Sequence, residues 1–188
     1  TMTLMTDNNG NEYEKLFSQH GDNLCFFAAK TNDIQLLKWA RKIKKCPWGA
    51  NVCRFAALHG NLLMLKWAHS YGCFLDEHVC SVAATNGHLD ILQWLHANCC
   101  PWDNNTCTNA AAGGHLNVLQ WARAKGCSWN RRTTSAAAEN GHLHIIEWAH
   151  ANGCPFFDDF ATFYAVKGGH VHILEWALSH NFYQNPEI

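Results

Sequence analysis

The sequence has no apolar run near the roughly 18 residues that a membrane-crossing helix needs, and its start, Thr1 to Asn11, is polar and unlike a secretory leader. Charge is also scarce: Asp, Glu, Lys and Arg make up 15% of 188 residues and nearly cancel, leaving a formal net charge of −1. Such a balance gives no general attraction to nucleic acid or to an anionic lipid surface. Glycine-rich phosphate loops, nucleophile elbows and metalloprotease helix motifs are missing too, so phosphoryl transfer and hydrolysis lack their usual carriers. These absences lead to an expectation of no catalytic residue, no cofactor, and neither nucleic acid nor membrane as partner.

Apolar material is plentiful, at 48% of residues, enough for a buried core and too much for a disordered chain. Ten cysteines are present. Disulfide scaffolds are usually shorter, secreted chains that lack a core of their own. The expectation is therefore free thiols in a reducing, intracellular compartment.

The strongest signal is periodic. Trp39, Trp67, Trp94, Trp121, Trp148 and Trp176 follow one another at intervals of 28, 27, 27, 27 and 28 residues. Seven positions before each stands Asn32, Gly60, Gly87, Gly114, Gly141 or Gly169, and four of these glycines precede a histidine. Six or seven positions after the first five tryptophans comes Cys46, Cys73, Cys100, Cys127 or Cys154, followed in three cases by Pro47, Pro101 or Pro155. Glycine in such a phase stops a helix, and proline marks the exit into a loop. Leu116, Val118, Leu119, Trp121 and Ala122 alternate with polar Asn117, Gln120 and Arg123 at a helical period. Upstream of the glycine, pairs such as Ala56-Ala57, Ala83-Ala84 and Ala110-Ala111 allow close approach of helices, and Thr106 or Thr133 is placed to cap the start. Each unit reads as a helical hairpin that buries its apolar side only against the next copy.

The strings AAAGGHLNVLQWA and AATNGHLDILQWL resemble the helix pair of ankyrin repeats, and the likeness covers residues from about 20 to 182. It implies an all-α, ankyrin-like solenoid of about six stacked repeats. The period of about 27 against the usual 33 implies that the β-hairpin finger between copies is short or absent. The expected layout is an N-terminal tail and capping helix over 1–20, an array over 21–182 and a C-terminal tail over 183–188. The Cys-Pro-Trp-Asp loop resembles divergent arrays abundant in giant DNA viruses and some protists, which implies host cytoplasm or a virion as location.

Against that frame the metal and catalytic readings lose. Cys46/Cys53, Cys73/Cys80 and Cys100/Cys107 are spaced C-x6-C, looser than zinc pairs. Equivalent cysteines in successive copies are about 8–10 Å apart, too far to share an ion. The expectation is buried structural thiols and no metal. His88, His115, His142 and His170 recur at one phase, which suits architecture rather than a single catalytic base. The six periodic tryptophans are expected to form a core ladder. Trp48, Trp102 and Trp129 either cover the core edge or serve as partner anchors. The cluster Lys38, Arg41, Lys42, Lys44 and Lys45 reads as a solvated helix end, with a basic docking patch as its alternative.

Function should then lie where the repeat leaves residue choice free. On first helices these positions carry Arg54, Phe55, His59, Thr85, Asn86, Asn109, Glu139, Asn140, Tyr164 and Lys167. Asp76, Glu77, Asp103, Arg131 and Arg132 in or beside the loops would form a rim. The resemblance implies a scaffold or adaptor that binds a protein through its concave face. The alternative is a structural component of a larger assembly, with self-association as one form of it.

Overall fold

The computed structural model describes residues 10–155 and 158–180; the N-terminal residues 1–9 and the expected C-terminal tail over 183–188 lie outside them. The chain divides into two compact units at Leu75/Asp76. The N-terminal unit holds α1 (Gly10–His20), a one-turn 3-10 helix (Gly21–Asn23), and two hairpins, α2 (Leu24–Lys30) with α3 (Ile34–Lys42) and α4 (Asn51–Leu58) with α5 (Leu62–Ser70). The C-terminal unit holds four hairpins. They are α6 (Glu77–Thr85) with α7 (Leu89–Ala97), α8 (Asn104–Ala112) with α9 (Leu116–Ala124), α10 (Arg131–Glu139) with α11 (Leu143–Ala151), and α12 (Asp158–Gly168) with α13 (Val171–Ser179). Six hairpin copies result, and no strand occurs among the described residues. Connectors such as 98–103 and 125–130 have no room for a β-hairpin finger, as the short period implied.

Both helices of a copy end in the same way. In copy 4, Gly114 takes φ +77° and the next amide, His115 N–H, donates to the Ala110 carbonyl five residues back. At the end of α9, Gly126 takes φ +83° and Cys127 N–H donates to Ala122. This is the Schellman ending, whose second residue past the helix characteristically makes an apolar contact back onto it. The Gly-His and Gly-Cys pairs of the sequence are therefore one device used twice. In the second use the apolar residue is the buried cysteine.

Helix starts correct the sequence reading. Thr106 and Thr133 cap nothing: both are fully buried one turn into their helices, and their hydroxyls lack a hydrogen-bond partner. The caps are Asp103 and Asn130, whose side chains accept from Asn105 N–H and Arg132 N–H. A residue three positions further out reaches the free amides, whereas the Thr106 and Thr133 side chains are turned into the buried interior.

Within each unit the copies meet mainly through first helices. α2 packs on α4, and α8 and α12 pack on either side of α10. The alanine pairs at that contact, including Ala56, Ala57, Ala110, Ala111, Ala137 and Ala138, are wholly buried. The large fully buried side chains are aliphatic and lie mostly on second helices: Leu36, Leu37, Met64, Leu65, Ile91, Leu92, Leu119, Ile145 and Ile146. The periodic tryptophans are half-buried rather than core. Each indole keeps part of its ring at the surface. There it receives the loop tryptophan, Trp48 on Trp67, Trp102 on Trp121 and Trp129 on Trp148, with ring centroids 5.5, 5.8 and 5.6 Å apart. Of the two readings open for the loop tryptophans, the contacts are those of edge covering.

Candidate partner-binding site

The cations at the end of α3 are held by aromatic rings. Arg41 stands 4.7 Å from the Trp48 ring centre, Lys42 5.4 Å from Tyr71, and Lys44 4.8 Å from Phe17 while pairing with Glu14 at 2.8 Å. Cation–π contacts of this kind join a helix end to its surroundings, which leaves less of this cluster for a docking role.

The thiols belong to packing. Nine cysteines are buried and Cys99 is exposed. Cys80 Sγ donates to Cys100 Sγ at 3.5 Å, and Cys25 Sγ to the Cys46 carbonyl at 3.6 Å. Burial pushes the Cys25 thiol up to about 12 and Cys154 up to about 11. Cys80 and Cys107 are also raised, first by hydrogen bonding to the neighbouring thiol and then by burial. Among the described residues no three metal-ligating side chains come together.

The histidines after the glycines tie copies together. Ring Nε2 of His115 lies 3.1 Å from the Thr85 carbonyl, that of His142 3.1 Å from Ala112, and that of His170 3.0 Å from Glu139. Each ring must therefore donate from Nε2 to the last turn of the preceding first helix. Glycine makes room for it. A Cβ on Gly87 would lie 2.6 Å from the His115 ring, and one on Gly113 would collide with both that ring and the Thr85 carbonyl oxygen.

Part of the proposed face is likewise engaged in architecture. Asp76 and Asp103 cap α6 and α8, and Glu77 is the exposed first residue of α6. His59 Nε2 lies 3.0 Å from the Lys30 carbonyl. Thr85, Asn86 and Asn140 donate to carbonyls of their own helices, at 2.9, 2.8 and 2.9 Å. Arg54 and Phe55 are half-buried in the N-terminal unit, where Phe55 meets Phe26 edge-on at 5.2 Å. Asn109 is half-buried on α8.

Four candidates converge in the C-terminal unit. Arg131, Arg132, Glu139 and Tyr164, with Thr108, Ser135 and Ala136, line an open groove of about 360 Å³. Positions 131, 132, 135, 136 and 139 form one face of α10 at helical spacing, with Thr108 contributed by α8 and Tyr164 by α12. Both arginines are exposed. At the far end Lys167 Nζ pairs with Glu139 Oε1 at 2.7 Å and lies 5.5 Å from the Tyr164 ring centre; its pKa is raised by the hydrogen bond to Glu139. Thr108 and Ser135 hydroxyls each donate to a carbonyl four residues back, at 3.0 Å. Their signal in the sequence was a polar residue directly after the cysteine phase.

Copies of one hairpin, joined through alanine-rich first helices, define an α-helical tandem-repeat protein. The family model described as "Ankyrin repeats (many copies)" matches residues 80–123, copies 3 and 4 in large part. No curated protein matches the sequence. Among solved structures, the human ASB11 ankyrin repeat domain superposes with a TM-score of 0.56 at 17% identity, over 68% of this chain and 67% of that one. The chain therefore has an ankyrin-like helical-repeat fold, and its residues 80–123 match the ankyrin-repeat family.

Proposed function

We propose that the chain is a non-catalytic scaffold or adaptor that binds a protein partner through the first-helix face of its C-terminal unit. The observation that carries this reading is the groove, where Arg131, Arg132 and Glu139 of α10 meet Tyr164 of α12 and Thr108 of α8, three successive first helices. Ankyrin repeats generally mediate protein–protein interaction, and side chains free of packing duties are where such a scaffold differs from its relatives. No helix among the described residues is long and apolar enough to cross a membrane.

The test is capture of partners from the native cell with the parent chain and with Arg132→Ala, Tyr164→Ala and Gln120→Ala. Gln120 is exposed on α9, away from the first-helix face. The first two variants should lose the partner and the third should keep it; the reverse pattern removes the reading. A second reading, a structural component of an assembly, draws on a charge split. Residues 1–75 carry nine Lys and Arg against five Asp and Glu, whereas 76–188 carry five against ten. Opposite units favour contact between copies; sedimentation that rises with concentration would support it.

A further inference from the structure

Within the C-terminal unit the last copy departs from copies 3, 4 and 5 at one set of positions. Ala84, Ala111 and Ala138 stand three residues before the glycine of their copies, and all three are fully buried. The last copy has Val166 there, and it is 62% exposed. Leu92, Leu119 and Ile146 on the second helices are fully buried as well, whereas their counterpart Leu174 is half-buried. Buried Ser81 and Ser135 correspond to exposed Phe163, whose ring meets Tyr164 edge-on at 5.4 Å. His96 stacks on the loop indole of Trp102 at 4.6 Å, and Arg123 lies 4.1 Å from the Trp129 ring centre. That phase holds exposed Leu178 in the last copy.

A position buried in copies 3 to 5 and open in the last is one that a following copy covers. These residues mark the junction face of α12 and α13, and no described residue covers it. Terminal repeats usually turn a polar face outward. In this chain the replacements run the other way: alanine becomes valine, serine becomes phenylalanine, and histidine or arginine becomes leucine. Val171, exposed at the start of α13, adds to the apolar surface, and such patches mark interaction sites. Lys167, beside Val166, is already paired with Glu139 at 2.7 Å.

The first copy is closed differently. Its two helices, α2 and α3, both carry α1, with the Tyr13 and Trp39 ring centres 5.7 Å apart. Stacking of a last copy on the first copy of another chain is therefore obstructed. Like must meet like, and a two-fold contact of one face with itself closes at two chains.

We infer that two copies of this chain pair through the junction faces of their last hairpins, with Val166 and Phe163 of α12 at the contact and Val171 and Leu178 of α13 flanking it. First helices already pack on first helices within this unit, α10 on α12 among them, so the pairing continues an interface that the fold uses at each junction there.

The experiment is sedimentation velocity on the full chain over roughly 1 to 100 μM. The mass should rise from one chain to two and stop, and should do so equally at about 1 M salt, where charge attraction is screened. Val166→Glu and Val166→Lys should each weaken pairing at least about tenfold, because a two-fold contact sets the like charges face to face. An equimolar mixture of these two variants should pair again, since opposite charges then meet. Each should melt as the parent does at a concentration where the parent is a single chain, as changes at exposed positions usually do. Leu63→Glu, at another exposed apolar position, should leave pairing intact.

A chain that stays single at every concentration, growth beyond two, pairing that survives in Val166→Glu, loss of pairing in Leu63→Glu, or a mixture no better than its components overturns the inference. A chain that stays single while Arg132→Ala still loses its captured partner removes the pairing and leaves the scaffold reading standing.

Discussion

The two units solve the same junction with different residues. In the N-terminal unit the second helices start at Asp33 and Asn61, whose side chains cap them by accepting from Leu36 and Met64 amides at 2.9 Å. In the C-terminal unit that phase holds His88, His115, His142 and His170, none of which caps its helix. His115, His142 and His170 reach instead for a carbonyl of the preceding copy. The acceptor phase is nevertheless shared: Lys30 stands two residues before Asn32, as Thr85 stands before Gly87. In copy 2 it is served by His59, two positions upstream of the cap. Where Asx takes the cap, the histidine moves; where histidine keeps the phase, the cap is given up. The inter-copy bond is what both arrangements preserve.

Loss of core should outweigh either arrangement and should act on its own unit. Leu65→Ala and Leu119→Ala, both at fully buried positions, should each cost about 2–5 kcal/mol. Hydrogen exchange should show lost protection chiefly in the unit that carries the change, and uniform loss across both would end the two-unit description.

Closing the space around the histidine ring comes next. Gly113→Ala should destabilise the C-terminal unit by about 1–3 kcal/mol, as overpacking does, and denaturant unfolding would expose a neutral outcome as an error in the junction.

Exchange of one device for the other should be smaller. Asp33→Ala removes a cap and should cost about 1 kcal/mol, whereas His115→Asn gains a cap and loses a strap. The net change for His115→Asn should fall within about 0.5 kcal/mol of zero. A loss as large as that of Asp33→Ala would show that the strap outweighs the cap.

The smallest effect is a pH dependence of the strapped unit. Burial, more than the surrounding histidines, lowers the His142 pKa from its ordinary 6.5. The unfolded chain then binds more protons than the folded one below that value. Stability should be full above pH 6.5 and decline as pH falls through it toward the folded value. The thermal melting of His142→Asn should respond less over the same window.

The hairpins, the copy number and the absent finger were legible because glycine, tryptophan and cysteine repeat in register, and a period survives any error about single residues. What failed was direction. Thr106 has a capping residue's chemistry, but from the sequence nothing shows that its side chain is buried while Asp103 points at the amides. Trp121 shares a helical face with aliphatic core residues yet is only half-buried, against the loop residue Trp102. The free positions on first helices were legible as a set; that Arg131, Arg132, Ser135 and Tyr164 converge while Thr85, Asn86 and Asn140 bond their own helices depends on side-chain geometry that the period does not carry.

The strap also sets an order in time. His115 closes on a carbonyl 30 residues earlier, so as the chain leaves the ribosome, copy 3 waits for the start of the second helix of copy 4. At about 5–20 residues per second the delay is a few seconds for each junction. During that interval the newest hairpin shows an alanine-rich flank and an open carbonyl to whatever is nearby, and the array matures one copy behind its own translation.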